Sequence, residues 1–166
     1  RDTSGLTTWR GPASLQRVRQ GVMVWWGVPT PPLLGLGCIW ATSLGDAEWV
    51  LLSAAVVLAV VLFLIRNIWG ALVVLAVGLG VWLAWNAGGL MITGTGYLLG
   101  TVLILGGLRS GVDEFRSRAK PGSDPSQLHQ LLKLPPAVWS VTMLAVGGAC
   151  AAAAVWIVAS TRLTVI

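Results

Sequence analysis

Five long runs without a single Lys, Arg, Asp or Glu occupy most of this chain: residues 21–43, 49–65, 68–85, 90–108 and 136–159. Each is near the ~20 residues that a helix needs to cross a ~30 Å hydrocarbon core. A chain of 166 residues cannot bury that much apolar surface inside its own core, so lipid must solvate most of it. The composition agrees: 55% of residues are hydrophobic and 10% charged, against about a quarter charged in soluble domains. The mean hydropathy is +0.80. A water-soluble globule and a disordered chain are thereby excluded. The expected fold class is all-α, a polytopic integral membrane bundle of about five helices.

The net charge of +5 does not indicate a nucleic-acid partner, because the basic residues sit between the apolar runs rather than in one stripe. Their placement instead predicts orientation. Residues 1–20 carry Arg1, Arg10, Arg17 and Arg19, and the next connection carries only Asp46 and Glu48. Arg66 follows, then the uncharged turn from Asn86 to Gly89. Arg109, Arg116, Arg118, Lys120 and Lys133 mark the segment 109–134. Positive and non-positive segments alternate, as five crossings require. Residues 1–20 and 109–134 are therefore expected in the cytoplasm, with Arg162 at the outer end as an exception. The chain divides into an N-terminal segment 1–20, a four-helix region 21–108, a basic loop 109–134, and a final span with its tail, 135–166.

Tryptophan supports these limits, since its amphipathic ring prefers the headgroup level. Trp25, Trp26, Trp40, Trp49, Trp69, Trp82, Trp85, Trp139 and Trp156 all fall near the ends of proposed spans. Within the spans, Gly96 and Gly100 form a GxxxG pair, and Gly147, Gly148, Ala149 and Ala151–Ala154 leave part of the last helix nearly bare. The alanine stretch is the stronger packing signal. Gly94, Gly96 and Gly100 do not form a dinucleotide loop, because the spacing is GxGxxxG and no strand precedes it. Pro29, Pro31 and Pro32 remove backbone donors and predict a kink or break in the first span.

In the 109–134 loop, Asp124 can cap a short helix, with Pro125 in its first turn and Gln127 in capping-box position. Leu128, Leu131 and Leu132 line one face until Pro135 and Pro136, which predicts an amphipathic surface helix. Cys38 and Cys150 read as small buried hydrophobes. The chain begins with Arg1 and its first Met is Met23, from which a fragment or processed product is expected.

Sites of chemistry are sparse. His129 is the only histidine, so the chain by itself supplies no HExxH and no usual zinc set. His129 reads as a polar residue of the loop helix. No Ser, His and carboxylate set can be assembled either. Arg66 and Asn67 are polar groups near membrane depth, where such groups are costly and often functional, but a hairpin corner at the headgroups explains them equally well. Asp113 and Glu114 read as interfacial charges offset by Arg109 and Arg116.

Several short strings together resemble the site-2-protease-like membrane metallopeptidases of the B-like branch. They are Asp2-Thr3-Ser4-Gly5 with Trp9-Arg10-Gly11, and Gly27-Val28-Pro29-Thr30-Pro31 running into Leu34-Gly35-Leu36-Gly37. Next come Arg66-Asn67 with Gly70, and Leu105-Gly106-Gly107 with Arg109. Ser123-Asp124 with Gln127-Leu128, and Leu134-Pro135 with Trp139, complete the series in order.

The resemblance implies a bacterial plasma-membrane zinc peptidase in which a helix preceding Arg1 carries HExxH. In that motif two histidines one turn apart hold zinc, and the glutamate activates the metal-bound water. On this reading no catalytic, cofactor-binding or metal residue lies in the chain itself. It is the membrane region of the enzyme, inactive alone, acting on a peptide or membrane-protein substrate within the lipid bilayer. Better-known site-2 proteases take a further aspartate ligand from a later helix, and no clear equivalent stands here. Asp113 and Glu114 are the auxiliary candidates for that role, and Asn67 for orienting substrate or a metal-bound group. A non-enzymatic scaffold or small transporter is the competing reading. Transport of ions would call for intramembrane carboxylates or a repeated half, and neither is present.

Overall fold

The structure is a computed structural model that describes residues 19, 21–23, 25–117, 128–129 and 135–163. Five long helices account for nearly all of them: α1 Thr30–Ser43, α2 Ala47–Leu64, α3 Ile68–Ala87, α4 Gly89–Ser117 and α5 Pro136–Leu163. No strand occurs among the described residues. Among the described residues, four helices are long and apolar enough to cross a membrane, and a fifth crossing arises if Gly21–Gly27 and Thr30–Ser43 form one bent span. The fold is an all-α polytopic bundle.

The prolines break the first span as their chemistry requires. Gly21–Gly27 meets α1 at 52°, and α1 itself has 14 residues, roughly 21 Å at about 1.5 Å per residue. Alone it is shorter than the hydrocarbon core. Pro29, Pro31 and Pro32 cannot donate to the carbonyls of Trp25, Gly27 and Val28, four residues back. The Thr30 hydroxyl donates to the intervening Trp26 carbonyl at 2.5 Å.

Helices α1, α4 and α5 form the packed centre. α1 and α4 run antiparallel along a seam where glycines of one helix meet the backbone and side chains of the other. A methyl group at Gly100 would lie 2.6 Å from Ile39 Cγ1 and 2.7 Å from the Gly35 carbonyl oxygen. One at Gly35 would lie 2.5 Å from the Gly100 oxygen, and one at Gly96 2.5 Å from Thr42 Oγ1. Farther along, Gly107 leaves room for the buried ring of Pro32. Glycine is required here by approach rather than by backbone angle. α5 packs antiparallel to α4, with Gly147 opposite Leu108 and Gly111 opposite Leu144. Ile39, Ile104 and Ala154, one from each helix, form the buried cluster at the middle.

The α2–α3 hairpin leans on this centre at one end only. Ala47 and Leu51 pack with Val81, Ala84 and Ile92. The opposite end of the hairpin stands clear, with Phe63 91% exposed. An apolar cleft of about 500 Å³ opens between α2 and α3 along Leu58, Leu62, Leu75 and Trp82. α3 ends where Gly88 takes φ +70°, while its N–H still reaches the Ala84 carbonyl at 3.2 Å. Trp40, Trp49, Trp69, Trp82, Trp85 and Trp156 are exposed on the bundle surface.

Two expectations need adjustment. The fourth helix runs past the predicted end at 108 to Ser117, because Arg109 to Ser117 contains no Pro and emerges where the backbone can continue helically into water. Its 29 residues make roughly 43 Å of helix. The alanine stretch of α5 packs on one side only: Ala154 is buried but Ala152 is exposed, and the backbones of Gly35 and Gly100 meet on the α1–α4 seam.

Candidate functional site

The break before α1 lies at the same end of the bundle as the polar end of α4. Val28, Met143 of α5 and Leu128 of the 109–134 segment form one buried cluster, with Trp25 and Trp139 packed against it. Leu128 is 0% exposed. Trp25 Nε1 donates to Thr142 Oγ1 at 3.3 Å, and the Thr142 hydroxyl donates to the Trp139 carbonyl at 2.8 Å. Among the described residues, the buried Trp139 Nε1 has no hydrogen-bond partner. Trp25 and Trp26 meet edge to face, with ring centroids 5.5 Å apart. Three of the strings singled out in the sequence, around Val28, Leu128 and Trp139, thus converge in space.

α4 brings its charges to this end. Gly111 packs near Val28 and against Leu144, and Glu114 follows three residues later on the same side of the helix. Glu114 is half-buried, with Oε2 shielded from solvent, whereas its neighbour Asp113 is exposed. Successive residues on a helix point about 100° apart, so the two carboxylates leave α4 on different sides. Arg109 and Arg116 are exposed on the same side as Asp113.

Asn67 lies elsewhere, in the three-residue corner between α2 and α3. It is exposed, and its Oδ1 accepts from the Trp69 backbone N–H at 3.1 Å, which makes it the N-cap of α3. Arg66 beside it is exposed too. His129 is helical and exposed. Asp124, Gln127, Leu131, Leu132, Arg118, Lys120, Lys133 and the strings within residues 1–18 lie outside the described residues.

No three His, Cys, Asp or Glu side chains come together as a metal site among the described residues. Cys38 and Cys150 are free thiols on separate helices. The described donors therefore do not fit zinc, and no chemical step can be built on them. What sequence reasoning missed was Thr142, which anchors the segment before α1, and the partnership of Pro32 with Gly107. The spacing of Gly96, Gly100, Gly107 and Gly111 along one face of α4 was the available signal for the latter.

A second feature is a lateral groove of about 450 Å³ between α4 and α5, floored by Ile39 and Ile104 and walled by Thr101, Leu105, Ala151 and Val155. Its one hydroxyl, on Thr101, donates to the Tyr97 carbonyl at 2.8 Å. The groove offers apolar surface and no reactive group.

The model of the family described as Peptidase M50B-like matches residues 1–154. No curated protein and no solved structure matches the chain. The match spans every described element up to Ala154 in α5, including the break, the glycine seam and the cluster around Leu128, and the chain belongs to the Peptidase M50B-like family.

Proposed function

We propose that this chain is the membrane region of a site-2-protease-like zinc metallopeptidase of the bacterial plasma membrane, and that it hydrolyses no peptide bond by itself. The family match over residues 1–154 carries the reading. It is supported by the placement of the broken first span, the half-buried Glu114 and the Leu128 cluster at one end of the bundle. Zinc would be held by an HExxH helix outside residues 1–166, since the described side chains supply no ligand set. This chain's own contribution is then to position that helix, to exclude lipid from it, and to present a substrate segment from the bilayer. The basic distribution supports a cytoplasmic position for residues 1–20 and the 109–134 segment, with the break toward that end of the first span.

The test uses the natural full-length protein and residues 1–166 side by side. Metal analysis should find about one zinc per full-length chain, with cleavage of a membrane-protein substrate that is lost on chelation and restored by zinc. Residues 1–166 should hold no zinc and cleave nothing. A full-length protein free of zinc and without cleavage would instead make the chain part of a non-enzymatic scaffold.

A further inference from the structure

At one end of the groove between α4 and α5 stands an exposed basic side chain, while at the other end its last lining residue, Ala159, is followed by Ser160 and Thr161, whose hydroxyls donate to the Ile157 carbonyl. Leu105 forms its wall, and Arg109 stands one turn farther along α4, on the same side and exposed. Leu108 opposite Gly147 and Gly111 opposite Leu144 fix the two helices as antiparallel. The groove therefore descends from just below Arg109 toward Val158 and Ala159 of α5. From Ala151 to Ala159 it covers about 12 Å of helix, close to the ~15 Å depth of a single leaflet, which is half of a ~30 Å core.

We propose that this groove and Arg109 bind an anionic glycerophospholipid of the leaflet that meets Arg109, with one acyl chain in the groove and the phosphate at the guanidinium. Charge and shape both favour this occupant. The lining is apolar and its single hydroxyl is already engaged with the Tyr97 carbonyl, so an extended peptide would find no partner for its backbone groups. A transmembrane helix crosses a core of about 30 Å, whereas the groove covers only about 12 Å of helix. At the groove mouth a guanidinium suits a phosphate, to which it can donate two parallel hydrogen bonds. Asp113 lies one turn farther out, toward water, with Arg116 beyond it on the same side.

The test is lipid retention by the full chain in nanodiscs containing phosphatidylglycerol, phosphatidylcholine or both, read by native mass spectrometry. Phosphatidylglycerol should be retained about fivefold better, the effect of one basic residue near an anionic headgroup. Arg109→Gln should abolish the preference, while Arg66→Gln on the α2–α3 corner should leave it intact. Val155→Trp, at an exposed groove position, should lower retention of both lipids. A photo-crosslinking residue at Val155 provides a readout independent of these variants and should yield a phospholipid adduct. Equal retention of the two lipids, an unchanged preference in Arg109→Gln, or a polypeptide adduct at Val155 would each overturn the proposal.

Discussion

The indole N–H of Trp25 donates to the hydroxyl of Thr142 across 3.3 Å, joining the segment before the proline break to the last helix. Because Thr142 also donates to the Trp139 carbonyl, the bent segment hangs on α5 through a two-step chain. Trp25→Phe and Thr142→Val should each destabilise the folded state modestly. A double-mutant cycle in mixed micelles should give a coupling of about 0.6 kcal/mol, typical of hydrogen bonds within membrane bundles. Additive single effects would show that the pair contributes nothing.

The glycine seam predicts opposite signs at neighbouring positions. Gly100→Ala places a methyl group 2.6 Å from Ile39 Cγ1 and should destabilise by about 1–3 kcal/mol through overpacking. Gly106→Ala and Gly148→Ala meet nothing within 4 Å. They should be neutral or stabilising by up to about 1 kcal/mol, because alanine favours helix over glycine. Unfolding of the three variants by a titrated denaturing detergent separates the two cases.

Leu128 is enclosed by Val28 and Met143 with Trp25 and Trp139 alongside, far in sequence from the first of these. Leu128→Ala should cost about 2–4 kcal/mol, as for other large-to-small changes at buried sites. Hydrogen exchange should rise at Trp25–Val28 and around Met143 together, whereas a change confined to the 109–134 segment would contradict a shared cluster.

Asn67 caps α3, so Asn67→Ala should remove about 1 kcal/mol of stability and Asn67→Asp should retain most of it. Peptidase activity of the natural full-length protein should survive both changes. Loss of activity in a well-folded Asn67→Ala protein would assign Asn67 a role toward substrate or metal besides the cap.

The proposed orientation is checked in a background with Cys38 and Cys150 replaced by alanine. Single cysteines at Ser123 and Ala87 should react with an impermeant thiol reagent from opposite faces of the membrane. Labelling from the same face would remove one crossing between them.

The helices were legible because charge-free runs and tryptophan positions depend only on what lipid tolerates. The corner at Arg66 and Asn67 was equally visible, since two polar residues between apolar runs have few other places to be. The long extension of α4 was not, because Arg109, Asp113 and Arg116 suit an exposed helix as well as a loop. The seam was half visible: Gly96 and Gly100 declared a close contact, but only the fold shows that Gly35 and Pro32 of α1 are on the other side. Pairings between helices depend on surfaces distant in sequence, which local patterns do not encode. For the candidate site, the family strings around Val28, Leu128 and Trp139 were readable one by one in the sequence. The meeting of Val28, Leu128 and Trp139 required three dimensions.

The same partnership of α1 with α4 has a consequence for how the protein is made. Translation completes α1 well before α4, and the whole α2–α3 hairpin emerges in between. α1 has only 14 residues and three prolines at its start, and the Gly35 and Pro32 surfaces that fit Gly100 and Gly107 have no counterpart until α4 leaves the ribosome. The α1–α4 seam can close only after the hairpin has been made, so the order of contacts in space differs from the order of synthesis.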